Sequence, residues 1–515
     1  ILPPLGYQWW TTHRTLRVLA ERLAAAGHVV SRVQYHGTGD SAGADWDGDR
    51  VAAWRESVQV AVGDLRALGC QELHAVGVRL GATLALLDGA DLGLSSVACW
   101  APITSGRRWT RELRMLADEL PESEDCAGTG SFASAGVLFS GETVAELAKL
   151  SATAAEHPPA PRVLLVDGAE HGKLAAHLDG LGVAVTGAVV AGGEQALEEP
   201  TEDAVVPDAV LGAITEWIGP AGEALPAVDA PSAQPGATIA WAGVTVREEV
   251  VELGPERFFG IVTSPAAGAA VKPGTIVFLN TGSEPHVGPG RAWVEYARGM
   301  AAEGHRCVRV DWRGWGESPD EGRAPGRPYD ATGEDDTLAI AAALRARGED
   351  ASAEPIVLVG LCASAWMALR AVLRDPSLRV IALNAQLWWK PGMPVIPVLD
   401  SAIRWRIPIT EHEEAGARWG KWTALDLFGR RDWAGRWLDA LDQAGAQASL
   451  VYVEGDPGIL HLRTRLARRV KRTVRGDRLR IVELNEIDHS MHRTWARPQM
   501  LQTLVAEAGR LTREG

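Results

Sequence analysis

Residues 355–370 read PIVLVGLCASAWMALR. Pro355 to Gly360 is an apolar run of strand length, and Ala365 to Arg370 opens an Ala/Leu-rich helical pattern. Between them, Gly360-Leu361-Cys362-Ala363-Ser364 has the form small-x-nucleophile-x-small. A turn this tight between strand and helix needs small flanking residues, and it lifts the central side chain above the sheet edge. That side chain then sits at a helix N-terminus, where exposed N–H groups and the dipole favour an anion. Cys362 therefore holds the nucleophile position, and the Ala363 N–H is one donor of an oxyanion hole. The competing reading, a buried structural cysteine, is common for free thiols. The strand–turn–helix context and the partners below weigh against it.

Working outward, an acid and a histidine follow in the order that such an elbow requires. Asp456 comes after the strand pattern Ala448 to Val453, and His489 after the strand pattern Leu479 to Leu484. His489 lies in the loop Ile487-Asp488-His489-Ser490-Met491-His492, so His492 is the rival imidazole. Asp456 precedes Pro457 and could equally serve as a turn former; Glu454 is a weaker candidate for the acid. The expected chemistry has His489 drawing the proton from Cys362 while Asp456 orients the imidazole.

The chain also repeats itself. Residues 24–41 read AAAGHVVSRVQYHGTGDS and residues 301–318 read AAEGHRCVRVDWRGWGES. In each copy a helix ends at a glycine (Gly27, Gly304), a Val-rich strand is expected next, and a Gly-x-Gly-acid-Ser turn closes it. Further matches pair Val76 to Gly81 with Val359 to Ser364, and Leu164 to Ala169 with Val451 to Asp456. A period of half the chain implies a duplicated domain and not a solenoid. Strands alternating with helices imply an α/β fold with mainly parallel sheets covered on both faces. The expected division is a first domain over 1–218, a linker over 219–237 and a second domain over 238–515. Gly219 to Pro235 is rich in Ala, Pro and Gly, as linkers are. Val244 to Leu253 and Arg257 to Val262 read as a hairpin opening the second domain.

The first copy lacks the chemistry. Arg79 stands where Cys362 does, Ala169 stands at the acid station, and no histidine occurs between His177 and His286. Glu170 could replace the acid, but nothing replaces the base. This half is expected to be non-catalytic and to pack against its sibling, with Arg79 in a local salt bridge or binding an anionic group.

On these motifs both halves resemble bacterial α/β hydrolases of the serine aminopeptidase-like and exosortase-associated type, over most of 1–218 and 240–512. The resemblance implies two tandem α/β-hydrolase domains. It implies that Asn280-Thr281-Gly282 forms the second oxyanion loop, with Thr281 and Gly282 joining Ala363. It also implies a lid over about 387–437, which holds Trp388, Trp389, Trp405, Trp419, Trp422, Trp433 and Trp437 with Phe428. An aromatic lid suits an extended apolar or polyketide-like acyl chain; packing of lid on body is the alternative. The departures from the family are Cys for Ser at 362 and Ser for Gly at 364. A cysteine at this station is also similar to dienelactone hydrolases and polyhydroxyalkanoate synthases.

Composition narrows the rest. A net charge of -15 disfavours phosphate backbones and hence nucleic acid. The five cysteines are odd in number and fit no zinc or disulfide spacing, which suggests a reducing, cytoplasmic compartment. No apolar stretch is long enough to span a bilayer, and no signal-peptide pattern opens the chain. Ile1-Leu2-Pro3-Pro4 reads instead as the end of a buried strand, so a few preceding residues are expected. Gly37-Thr38-Gly39 lacks the context of a dinucleotide fingerprint, and neither cofactor nor metal is expected. The reading favoured is a Cys-dependent acyl-transfer enzyme acting on a small-molecule ester or thioester with a hydrophobic acyl group, free or carrier-bound. An ester or thioester hydrolase is the nearest alternative, and a non-catalytic binding or scaffold protein is the third.

Overall fold

The computed structural model describes residues 1–117, 130–167, 171–199, 201, 203–222, 236–320, 332–347, 354–387, 433–453, 455–465, 474 and 478–513. The chain divides into two compact units, Ile1–Pro235 and Gly236–Gly515. In the first, β1 (His74–Val78), β2 (Ser96–Trp100), β5 (Arg162–Val166) and β6 (Ala184–Ala188) form a parallel sheet in the order β1-β2-β5-β6. β3 (Phe132–Ser134) and β4 (Val137–Phe139) make a separate hairpin. The amino terminus adds to this sheet, because Leu2 bridges Gly77 in parallel before Pro3 and Pro4 end the pairing.

The second unit contains β7 (Gly236–Trp241), β8 (Val244–Leu253), β9 (Phe258–Pro265), β10 (Thr275–Phe278), β11 (Arg306–Val310), β12 (Ile356–Leu361), β13 (Arg379–Leu383), β14 (Gln447–Val453) and β15 (Leu479–Leu484). Their order is β15-β14-β13-β12-β10-β11-β9-β8-β7. β7, β8 and β9 are antiparallel, β9 meets β11 antiparallel, and β10 to β15 pair in parallel. Strands covered on both faces must be apolar throughout. Accordingly Val357, Val359 and Leu361 face one layer with Trp293, Met300 and Leu504, from the helices Ala292–Ala302 and Arg497–Thr512. Leu358, Val380 and Leu450 face the other, with Ile340, Met367 and Leu441, from the helices Thr332–Arg347, Ala363–Arg374 and Trp433–Ala444.

Local geometry is shared between the units down to single hydrogen bonds. Gly27 and Gly304 both have φ 94°, and His28 and His305 donate their N–H groups back to Leu23 and Met300 as Schellman turns do. In the Gly-x-Gly turns, the Asp40 N–H donates to the Gln34 side-chain oxygen at 2.6 Å and the Glu317 N–H to the Asp311 carboxylate at 2.9 Å. The following hydroxyls, Ser41 and Ser318, donate to the Gln34 and Asp311 carbonyls at 2.8 and 2.6 Å. A Cβ at Gly39 or Gly316 would collide with those same Gln34 and Asp311 side chains. Arg79 (φ 53°, ψ -113°) and Cys362 (φ 56°, ψ -106°) adopt the same rare backbone between strand and helix.

Three expectations need correction. Residues 28–35 were expected as a strand, but the stretch carries no strand ladder: two bonds tie it to the neighbouring segment, from the Ile1 amino group to the Ser31 carbonyl and from Val33 N–H to the Ile1 carbonyl. Its alternation satisfies burial without sheet pairing. The opening hairpin of the second unit has a further strand in front, β7, starting inside the span read as linker; its Gly, Ala and Thr residues hid it. At the far end of the supposed lid, Trp437 is buried with Leu438 and Leu441 on a helix packed into the body of the sheet.

Gly360 closes the second elbow, where a Cβ would lie 2.5 Å from the Ser364 carbonyl carbon and 2.6 Å from the Ala365 nitrogen. Backbone there cannot yield cheaply. Gly360→Ala is expected to destabilise the second unit by about 2 kcal/mol or more, read as a lower urea midpoint. Gly509→Ala, with open space around its Cβ, should be neutral or slightly stabilising. Equal midpoints for the two variants would show that the elbow is not sterically closed.

Candidate active site

Cys362 ends β12 and caps the helix Ala363–Arg374. Its N–H donates to the Leu383 carbonyl at 2.9 Å, and its own carbonyl accepts from Trp366 N–H at 3.2 Å. A non-glycine residue at positive φ is strained and persists only where its surroundings fix it. Ser364 explains how a residue larger than glycine is accommodated: its hydroxyl accepts from Leu361 N–H at 2.9 Å and donates to Leu361 carbonyl at 3.1 Å. The hydroxyl is thus consumed inside the turn.

Asp456 and His489 meet Cys362 above the same sheet edge. His489 Nδ1 is 2.7 Å from Asp456 Oδ2, and both residues are buried. The other carboxylate oxygen, Oδ1, accepts from Gly458 N–H at 2.7 Å and from Gln386 Nε2 at 3.3 Å. Burial by itself pushes the imidazole pKa down. It is outweighed by the charge of Cys362 and by the hydrogen bond and charge of Asp456, so the pKa of His489 stands well above its ordinary value. Imidazole and carboxylate are hydrogen-bonded, and the sulfur lies close enough to act on the ring electrostatically.

Two supporting residues had gone unread. Asn384 follows β13 at φ 50°; its amide donates to the His489 carbonyl at 3.0 Å, and its oxygen accepts from Val453 N–H at 3.0 Å. One fully buried amide thereby fastens the histidine loop to the end of the acid strand. Gln386 donates to Asp456 and to the Asn384 carbonyl. The available signal was a run of two amides, Asn384-Ala385-Gln386, directly after an apolar strand. Asp488 shapes the loop from within, accepting from the Ser490 and Arg493 N–H groups. His492, the rival imidazole, is half-buried in the same loop.

The expected oxyanion residues lie on neighbouring strands. β10 pairs with β12, Phe278 opposite Val359, so the segment Leu279 to Gly282 leaves the sheet beside the elbow. The Asn280 side chain is engaged elsewhere, donating to Asp311 at 2.7 Å and to the Glu284 carbonyl at 3.0 Å, and accepting from Trp312 N–H at 2.8 Å. Thr281 is buried and Gly282 takes φ 56°. Trp388, Trp389, Trp405, Trp419 and Trp422 lie outside the described residues, as do Phe428, Glu454, Ala169 and Glu170. In the first unit Arg79 occupies the elbow, its N–H donating to the Trp100 carbonyl as that of Cys362 does to Leu383. Among the described residues no group of three His, Cys, Asp or Glu side chains could hold a metal. No helix among them is long and apolar enough to cross a membrane.

An elbow between a parallel strand and a helix, with an acid after the next-but-one strand and a histidine after the last, defines the α/β-hydrolase class. Residues 276–510 match the alpha/beta hydrolase family, and the second unit has a parallel α/β sheet of that kind. No curated protein matches the chain. Among solved structures, a dienelactone hydrolase from Anabaena variabilis is similar at 11% identity, over 54% of this chain and 100% of that one, with a TM-score of 0.34. An α/β serine hydrolase without lid from Xanthomonas campestris is similar at 16% identity, over 52% of this chain and 96% of its own, with a TM-score of 0.32. An esterase from Pyrococcus furiosus is similar at 13% identity, over 52% and 93%, with a TM-score of 0.34.

Two outcomes follow from this geometry. Cys362→Ala removes the charge that raises His489, so its pKa, followed by NMR of the ring protons, should fall. Since the folded value is raised, the stability His489 contributes is full below its unfolded pKa of about 6.5 and is lost as pH rises through the folded value. That alkaline loss should shrink in Cys362→Ala. An unchanged imidazole titration would mean that thiol and imidazole are not coupled. Asn384→Ala leaves two buried backbone groups without partners and should cost about 2–5 kcal/mol in urea unfolding, with slower modification of Cys362 by iodoacetamide.

Proposed function

We propose that the second unit is a cysteine-dependent acyl-transfer enzyme that takes a hydrophobic acyl group from an ester or thioester, free or on a carrier. One observation carries this reading: Cys362, at the elbow, acts electrostatically on an imidazole whose Nδ1 is held at 2.7 Å by Asp456. With Nδ1 engaged, Nε2 takes the thiol proton. The sulfur then bonds to the acyl carbon while the carbonyl π pair moves onto oxygen. N–H groups of Ala363 and of the Thr281–Gly282 segment are the assigned donors to that oxygen. Collapse breaks the bond to the leaving group, which receives the proton from His489, and an acyl-thioester remains on Cys362. An acceptor next gives its proton to His489 and bonds to the acyl carbon, and the sulfur leaves and recovers the proton.

A thioester reacts more readily with amines and thiols, relative to water, than an oxoester does, and this favours transfer. The tryptophan-rich stretch 387–437 supports a hydrophobic acyl group. The family match favours the second reading, in which water is the acceptor and the enzyme is an ester or thioester hydrolase. In either case the first unit is non-catalytic, because a guanidinium at the elbow cannot act as a nucleophile.

Incubation with the octanoyl thioester of N-acetylcysteamine should raise the intact mass by one acyl group in the wild type and not in Cys362→Ala. Asp456→Asn should acylate roughly 10²–10⁴-fold more slowly. Equal labelling of Cys362→Ala would remove the nucleophile from the scheme. With an amine present, an amide product supports transfer, and release of free acid alone supports hydrolysis.

A further inference from the structure

The elbow of the first unit opens onto a cavity of 240 Å³. A water occupies about 30 Å³ of liquid, so this space accepts a small organic molecule. Arg79 stands in it where Cys362 stands in the second unit. Its donors reach only neutral acceptors, and at long range: Nε to the Gln8 side-chain oxygen at 3.3 Å and Nη1 to the Ala101 carbonyl at 3.5 Å. Among the described residues no carboxylate forms an ion pair with it. Burial lowers its pKa more than Glu112, Glu198 and Glu194 raise it, and Arg108 lowers it further. The guanidinium stays charged nonetheless. Beneath it begins the helix Leu80–Leu92, whose positive end adds to the same field. A half-buried, under-compensated cation above a helix N-terminus is matched by a carboxylate, which an Arg fork grips in two places.

The remaining walls restrict what can carry that carboxylate. Arg108 and Glu112 neutralise one another across 2.9 Å. That leaves Glu194 and Glu198 on the cavity wall with one cation facing them. Two carboxylates repel a polyanion such as phosphate and attract an ammonium group. Ile103, Trp109 and Leu197, all buried, supply an apolar side.

We infer that the first unit is a binding domain for a small zwitterion, an amino acid with an apolar side chain, its carboxylate on Arg79 and its ammonium toward Glu194 and Glu198. The elbow has kept its backbone and exchanged the nucleophile for a ligand-holding cation. This assignment does not depend on the reactivity of Cys362.

Isothermal titration of the full chain with each apolar proteinogenic amino acid tests it, alongside leucinamide, N-acetylleucine and inorganic phosphate. Saturable binding of at least one free amino acid is expected, with its amide and its N-acetyl form each weaker by about tenfold or more. Arg79→Gln should weaken binding by at least about tenfold while circular dichroism and labelling of Cys362 are unchanged. Glu198→Gln should weaken the free amino acid and spare its N-acetyl form. Cys362→Ala should bind as wild type does. Failure of every amino acid to bind, full binding by Arg79→Gln, or tighter binding of phosphate would each overturn the assignment.

Discussion

A cysteine held at φ 56° costs of the order of 1–3 kcal/mol over a relaxed backbone. The sheet bears that cost through bonds no side chain can perturb: the Cys362 N–H reaches the Leu383 carbonyl on the next strand, and Gly360 leaves room for the helix to start at once. Everything at the site follows from this bend. It sets the sulfur above the edge where β13, β14 and β15 also end, so residues far apart in sequence converge there. Asn384 repeats the device one strand over. Its own φ is 50°, and the resulting direction of its amide lets it hold Val453 and His489 together. The imidazole is positioned by the Asn384 amide at its carbonyl and by the Asp456 carboxylate at its ring.

The elbow was legible because its steric demand is local: small residues two before and two after a nucleophile, flanked by an apolar run and a helical pattern. The order of Asp456 and His489 was legible for the same reason, each following a strand pattern directly. Asn384 and Gln386 were not, because their importance comes from what lies across the sheet, and nothing in a single sequence marks which amide faces which loop. Residues 28–35 misled in the opposite way. Their alternation matches a strand, yet period-two burial needs only an extended chain against a core, and pairing is decided by neighbours. β7 escaped because Gly236-Ala237-Thr238 has no apolar pattern; its register comes from the long β8 beside it.

The two units share turn geometry although their elbows carry different side chains. Arg79 keeps the elbow backbone, its N–H keeps the cross-strand bond, and Gly77 remains because a Cβ there would lie 2.4 Å from Ala82. Steric closure of a strand–turn–helix corner constrains residues whether or not a reaction occurs over it. The central side chain points out of the corner, so it alone is released to change.

The Gly-x-Gly turns carry this contrast into electrostatics. Gln34 braces the first with a neutral amide, whereas Asp311 braces the second with a carboxylate bound to His286 at 2.6 Å. Burial would raise the acid's pKa, but the charge and hydrogen bond of His286 and the bonds from Glu317 and Asn280 overcome it and hold Asp311 below its ordinary range. The stability it supplies is present above the unfolded carboxylate value and is lost as pH falls through the lowered one. Acidification therefore reaches the two braces unequally: the Gln34 amide has no proton to gain, while protonation of Asp311 unlocks the segment that also anchors Asn280 and, through it, the approach to the elbow.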